Sequence, residues 1–240
     1  MMIKKLPLSK QIPLVIVSQR RPIHINSQQS LLFFLKTRVS VQKLPLLKLS
    51  LPLKKHKNKL RNMRIIGGKH KRRRFDVPSN FNARPTTDFA KENLFNVLVQ
   101  YIDFEDCRCL DLFAGTGGIS AEMISRGAQS VLSVEQRREH VQFIQSVIKT
   151  LHEEEAWHIQ QGDVFRLLKA GGQGLYDFIF ADPPYKLSEI ADLPELILSS
   201  GHLAPEGLLV LEHPKQYDFS THPRLIDHRE YGSVNFSFFR

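Results

Sequence analysis

The chain has 240 residues, a formal net charge of +10 and a pI near 9.7, enough length for one domain of ordinary size with an appendage or for two small domains. The charge is uneven: residues 1–62 hold 14 Lys/Arg and no acid, residues 63–84 hold 7 Lys/Arg and one acid, Asp76, and residues 85–240 keep 13 basic against 23 acidic side chains. This excludes a uniformly basic polyanion binder and fits a chain that grips a polyanion with one segment and a different ligand with the rest.

No apolar run approaches the roughly 18 residues of a membrane span, so no membrane partner is expected. Cys107 and Cys109, in Cys-Arg-Cys, have a spacing that suits neither an easy disulfide nor a zinc knuckle. They read as reduced thiols in a reducing, cytoplasmic compartment, with no metal site. Residues 1–62 carry short apolar patches among lysines and prolines, without a sustained period. They fit a basic RNA-gripping arm, an organellar transit peptide, or an upstream extension with translation properly beginning at Met63. The third is favoured, because periodic sequence starts at Met63, and the segment is expected to lack fixed structure.

From Met63 the pattern sharpens. Residues 64–66 and 74–77 are strand-like runs joined by Gly67-Gly68-Lys69-His70-Lys71-Arg72-Arg73, which reads as a hairpin with a basic tip. Lys69, Lys71, Arg72 and Arg73 fit a solvated turn, but phosphates would relieve their mutual repulsion, so RNA contact is expected there and at Arg84. Arg84-Pro85-Thr86-Thr87-Asp88 predicts a helix start, with Thr86 or Thr87 as cap and Asp88 in the first turn. Phe89, Leu94, Val97, Leu98 and Tyr101 follow as a stripe expected to pack in the core.

Residues 107–113 predict a strand, Ala114-Gly115-Thr116-Gly117-Gly118 a Gly-rich turn, and residues 119–126 a helix, the unit in which a ligand approaches backbone at a helix N-terminus. Glu135 ends the next strand-like run, residues 130–134, about 20 residues on, where a carboxylate meets a ribose diol. Ser120 stands where a dinucleotide fingerprint has its third glycine, and Asp111 ahead of the glycines disfavours a pyrophosphate. A cationic ligand suits this acidic pocket better, and S-adenosylmethionine brings both an ammonium and a sulfonium. Residues 136–150 predict a helix and 156–160 a strand. In the turn Gly162-Asp163-Val164, Asp163 fits either a carboxylate bonding an adenine amino group or a helix N-cap.

Residues 178–181 are continuously apolar, as in a strand buried on both faces, and the prolines of Asp182-Pro183-Pro184-Tyr185 stop further pairing. The stop leaves a corner rich in acceptors, the Asp182 carboxylate and the Pro183 carbonyl, at the carboxyl end of a central strand, with Tyr185 beside it. It suits the amino group of a nucleobase stacked on Tyr185, and it also fits a plain Pro-Pro loop with a capping Asp. A helix over 187–199, a buried strand over 205–212 and an antiparallel pair, 225–231 with 233–239, complete the pattern. The alternation predicts an α/β Rossmann-like fold: a seven-stranded, mostly parallel sheet with helices on both faces, a terminal antiparallel hairpin and a small N-terminal β-hairpin extension. The expected division is an extension (1–62), a basic hairpin (63–84) and a ligand-binding domain (85–240).

The series Asp-Leu-Phe-Ala-Gly-Thr-Gly-Gly (111–118), Val-Glu-Gln (134–136), Gly-Asp (162–163) and Asp-Pro-Pro-Tyr (182–185) resembles class I S-adenosylmethionine-dependent methyltransferases acting on amino nitrogens. More narrowly, Met-Arg-Ile-Ile-Gly-Gly (63–68), Arg-Pro-Thr-Thr-Asp (84–88) and Ser-Arg-Gly-Ala (125–128) resemble the RsmD family, which methylates guanine N2 in 16S ribosomal RNA. The resemblance spans residues 63–240, and Ser120 departs from the glycine common there. It implies catalytic roles for Asp182, Pro183, Pro184 and Tyr185, and a cofactor site from Asp111, Phe113, Gly115, Thr116, Gly117, Glu135, Gln136, Asp163 and Val164. It implies S-adenosyl-L-methionine as cofactor and ribosomal RNA or an assembling small ribosomal subunit as partner, the enzyme acting as a monomer. An adenine-N6 DNA methyltransferase of the same fold, or a non-catalytic RNA-binding protein that retains it, remain the alternatives.

Overall fold

The computed structural model describes residues 61–81 and 87–240. The expectations for residues 1–60 and for Arg84 and Thr86 fall outside them.

A large sheet has the strand order β5-β4-β3-β6-β7-β9-β8. Its members are β3 (Arg108–Asp111), β4 (Ser130–Glu135), β5 (Trp157–Gln161), β6 (Tyr176–Ala181), β7 (Leu203–His213), β8 (Leu225–Tyr231) and β9 (Val234–Phe239). Strands β3 to β7 run parallel, and β9 turns back antiparallel between β7 and β8. The chain winds outward from β3 through β4 to β5, then crosses to β6 on the other side of β3. The strand order therefore reverses between β3 and β6, and it is outside the carboxyl ends at such a point that open α/β sheets bind ligands.

Both faces of the sheet are buried, and the two-residue period of a strand assigns each side chain to one of two cores. Cys109, Phe178, Phe180, Leu208, Val210, Phe236 and Phe238 fill one; Leu110, Ile179, Ala181, Leu209, Leu211 and Phe239 fill the other. The helices that cover them are α1 (Asp88–Leu98), α2 (Gly118–Ser125), α3 (Arg138–Leu151), α4 (Val164–Ala170) and α5 (Leu193–Ser199). The single helix expected over 187–199 is instead a 3-10 turn, Ser188–Ala191, followed by α5. Pro194 at the start of α5 explains the break, since its ring lacks an N–H and clashes with a preceding helical turn. Of the stripe on α1, Leu94, Val97 and Leu98 are buried, whereas Phe89 is 66% exposed and meets only the edge of Tyr231 at 6.5 Å among its ring contacts.

The N-terminal hairpin is the antiparallel pair β1 (Arg61–Arg64) and β2 (Arg74–Val77), so its first strand begins two residues before Met63 and ends before Ile65. Met63, Ile65 and Val77 sit in the first core, and the connecting segment is clamped to α2. Glu122 on α2 is fully buried and accepts from the backbone N–H of Ile66 (2.6 Å) and Gly67 (3.2 Å). It also faces Lys91 of α1 (3.5 Å) and Arg126 (3.5 Å), while Lys91 donates to the Arg64 carbonyl at 2.5 Å. One carboxylate thus joins the hairpin, α1 and α2. Gly68 approaches α2 so closely that a Cβ would lie 1.7 Å from the Ser125 carbonyl oxygen, which with its φ of +70° leaves room for glycine alone.

Removing Glu122 takes from the buried Lys91 ammonium its nearer carboxylate, leaving Asp88 at 4.0 Å, and strands two backbone donors. Glu122→Ala is expected to cost about 3–5 kcal/mol, read as the shift of a urea unfolding transition, since breaking a buried pair on one side leaves an uncompensated charge. A loss under about 1 kcal/mol would show that the clamp is dispensable.

Candidate active site

Four neighbouring strands end in acids. Asp111 closes β3, Glu135 closes β4, Asp182 follows β6, and Glu212 is the penultimate residue of β7. In register Asp111 lies opposite Ser133, two residues before Glu135, and opposite Phe180, two residues before Asp182. Ala181 pairs with Leu211, which brings Asp182 level with Glu212. With side chains alternating along each strand, all four carboxylates fall on the same face, at the carboxyl ends flanking the switch point.

Their crowding has an electrostatic consequence. Burial pushes the Asp111 carboxyl up to about 7, aided by Glu135 and opposed by a hydrogen bond from Ser120. Asp182 is pushed well above the usual carboxylate range by burial first, then by Glu212 and by Asp111. Two neighbouring acids that resist ionisation mark a place that a cation would stabilise.

The Gly-rich turn lies over the β3–β4 part of this row. Gly117 takes the left-handed conformation (φ 72°) as it caps α2, and the turn is held by the Glu135 carboxylate, which accepts from the Gly115 N–H at 2.9 Å and the Arg137 N–H at 2.7 Å. Among the described residues, a Cβ at Gly115 would meet only the Phe113 carbonyl oxygen, at 3.9 Å, so a ligand can reach this backbone. Phe113 is half-buried against the second core, Thr116 is buried, and Gln136 is exposed just beyond Glu135. Asp163 caps α4, accepting from the Arg166 N–H at 3.0 Å through one oxygen, with Val164 buried behind it. Acids for an ammonium and a sulfonium, an open Gly turn and carboxylates spaced along it fit S-adenosylmethionine.

At the β6 end, Pro183 is buried while Pro184 and Tyr185 are exposed. The Tyr185 hydroxyl reaches Glu212 at 3.3 Å, tying the aromatic ring to the acidic row. The basic tip is elsewhere. The Lys69 ammonium pairs with Glu153 at 2.7 Å, His70 with the same carboxylate, and Arg73 donates to the Thr150 carbonyl at 3.1 Å. Thr150 and Glu153 lie at the end of α3 that leads into β5, by the amino ends of the strands. The structure therefore does not bring Lys69, Lys71, Arg72 and Arg73 together with Asp182.

Three features escaped the sequence reading. Glu212 was legible in principle, as a fourth buried strand ending in an acid. His140, whose Nδ1 lies 3.5 Å from Glu135 and whose ring stacks on Phe81 at 4.2 Å, carries no local signal. Nor did Ser133 and Trp157, which join Ser120 and Asp111 in a buried hydrogen-bond chain.

A family model described as conserved hypothetical protein 95 matches residues 63–240. Ribosomal RNA small subunit methyltransferase D of Escherichia coli (strain K12) is 32% identical over 161 residues, which cover 67% of this chain and 79% of the relative. The solved structure of yhhF from Escherichia coli, described as a candidate methyltransferase, is 29% identical with a TM-score of 0.64, over 74% of this chain and 97% of that one. An RNA methyltransferase from Salinibacter ruber, solved with S-adenosyl-L-homocysteine, shares the fold at 14% identity and a TM-score of 0.52, over 65% of this chain and 92% of that one. With the acidic row, the Gly turn and the matched span in agreement, the chain belongs to the conserved hypothetical protein 95 family, that is, to the RsmD-type S-adenosylmethionine-dependent methyltransferases.

Proposed function

We propose that this methyltransferase acts on ribosomal RNA, and specifically on the exocyclic N2 amino group of a guanine in the small-subunit RNA. The observation that carries the reading is the Asp182 corner: a carboxylate and a proline carbonyl at the switch point, beside an exposed tyrosine and next to the acids that suit the cofactor. The name of the Escherichia coli relative supports the RNA class, and the resemblance of residues 63–68 and 84–88 supports guanine N2.

When bound, S-adenosylmethionine supplies a methyl group already activated by its sulfonium. Asp111, the 115–117 backbone, Glu135 and Asp163 would hold it. Asp182 and the Pro183 carbonyl accept from the two amino hydrogens of the base, which turns the nitrogen lone pair away from them. Tyr185, 43% exposed, offers its face to the ring. As the nitrogen gains its new bond it must shed a proton, and Asp182 is the acceptor in place. Burial, with Glu212 and Asp111 beside it, makes its carboxylate more basic than an ordinary aspartate, while a cation in the row would keep it ionised until then. A base presented in this way has left its helix, so the target is single-stranded or flipped.

The basic tip, a strand's length from Asp182, fits a polyanion long enough to cross the hairpin face. We assign residues 63–84 to this RNA contact and residues 85–240 to catalysis.

Incubation with labelled S-adenosylmethionine and partly assembled small subunits, naked ribosomal RNA or duplex DNA is expected to yield N2-methylguanosine from the RNA samples. N6-methyladenine from DNA would replace the substrate assignment, and an unlabelled set would refute transfer. Replacing Lys71, Arg72 and Arg73 with Ala is expected to weaken RNA binding and flatten its salt dependence by about two to three in log-log slope, as lost phosphate contacts require. An unchanged slope would remove the tip from the interface.

Asp182→Asn is expected to abolish transfer yet stabilise the free protein. Because the folded-state pKa of Asp182 lies above its unfolded value, the stability present at low pH is lost as the pH rises through the folded value. The variant escapes that loss, so its Tm should exceed the parent's at neutral pH and converge with it as the pH falls toward the unfolded value of about 4. A lower Tm at neutral pH would contradict the buried-charge reading of this corner.

A further inference from the structure

A chain of three short hydrogen bonds crosses the interior beneath the Gly-rich turn. The Trp157 indole Nε1–H donates to the Ser133 hydroxyl at 2.8 Å, the Ser133 and Ser120 hydroxyls lie 2.7 Å apart, and the Ser120 hydroxyl donates to Asp111 Oδ2 at 2.6 Å. All four residues are essentially inaccessible, between 0% and 1% exposed. They come from β5, β4, α2 and β3, so the chain joins four elements below the cofactor site. The Trp157 ring also closes the turn from below, since a Cβ at Gly117 would lie 3.1 Å from it.

The chemistry of the end groups gives this chain a direction. An indole N–H can only donate, so Ser133 must accept from it. The Ser133 proton is then free to point at Ser120, and the Ser120 proton at Asp111. Each hydroxyl accepts once and donates once, and the chain ends on an acceptor, which is satisfied when Asp111 is ionised. If Asp111 is protonated on Oδ2, that proton must go toward Ser120, and the ordering of the two serines reverses.

We propose that Trp157, Ser133 and Ser120 form a one-directional hydrogen-bond relay that holds the Asp111 carboxylate ionised and oriented for the cofactor's ammonium group, with Ser120 as its positioning residue. The inference rests on S-adenosylmethionine being the cofactor, and it explains why a hydroxyl stands where a Gly-rich fingerprint has its third glycine. The relay opposes what surrounds Asp111. Glu135 faces it from β4 and Asp182 from β6, with Glu212 of β7 beyond Asp182 and the Cys109 thiol below it on β3; among the described residues α2 offers Ser120.

Trp157 is the single tryptophan of the chain, so its indole N–H gives one resonance that reports on the relay directly. In the cofactor-free protein that resonance is expected to titrate between about pH 5.5 and about pH 8.5, following Asp111, and to stop moving in Ser120→Ala. By calorimetry, S-adenosylhomocysteine should bind Ser120→Ala about tenfold more weakly than the parent at about pH 6.5 and nearly as well at about pH 8.5, because the lost donor raises the pH at which Asp111 ionises. Trp157→Phe, which keeps the ring and removes the donor, should displace the binding profile in the same direction by less. A parent indole resonance that does not move, or a Ser120→Ala loss equal at every pH, would overturn the relay. Failure of the parent to bind S-adenosylhomocysteine while its indole still titrates would instead strike the cofactor assignment.

Discussion

Four carboxylates on one face of a sheet, at the ends of four adjoining strands, are the constraint that the rest of the structure answers to. Burial first, and neighbouring like charges second, push the Asp111 and Asp182 carboxyls up. Such a row is costly for folding unless positive charge lies along it. The strand order makes the row possible: only at the reversal between β3 and β6 do two adjacent carboxyl ends open onto a crevice free of a crossover helix. Asp111 and Asp182 stand on its two sides.

The local devices around the row each hold one acid for its task. Glu135 is tied to the Gly115 and Arg137 amides, which fixes the turn rather than leaving it to the ligand. Glu212 accepts from the Tyr185 hydroxyl, which ties the aromatic ring to the end of the row. Glu122 is the acid used differently: buried on α2, away from the row, it is neutralised by Lys91 and Arg126 and serves to fasten the hairpin. The basic tip is fastened as well, through Glu153 and Thr150, and this puts its charge at the far end of the strands from the chemistry. The basic tip and the acidic row are thus separated by the height of the sheet.

Much of this was legible in the sequence because the signals are local. The apolar run ending in two prolines fixed the end of β6, since proline cannot continue a ladder, and the strand indeed ends at Ala181. Strand, Gly turn and helix over 108–125 followed from residue type alone. The tip could be read as basic but not as docked, because the Glu153 and Ser125 partners lie 55 residues or more away in sequence. Phe89 misled for a related reason: its place in the stripe is periodic, yet whether a neighbour covers it depends on tertiary packing. The break within 187–199 was signalled by Pro194 and passed over. Ser120 was read as a gap in a glycine pattern, while its role as a hydroxyl required knowing that Ser133 and Trp157 stand beside it.

The central claim is that the acidic row is shared between two ligands, the cofactor along Asp111 and Glu135 and the acceptor amine at Asp182. A crystal structure of the complex with S-adenosylhomocysteine tests it most directly. The account predicts the ligand's ammonium group within hydrogen-bonding reach of the Asp111 side, its ribose at Glu135 and its adenine toward Asp163, with Asp182 and Tyr185 untouched by the ligand. A ligand whose ammonium group is held by Asp182 and Glu212, or one bound away from the Gly-rich turn, would contradict it.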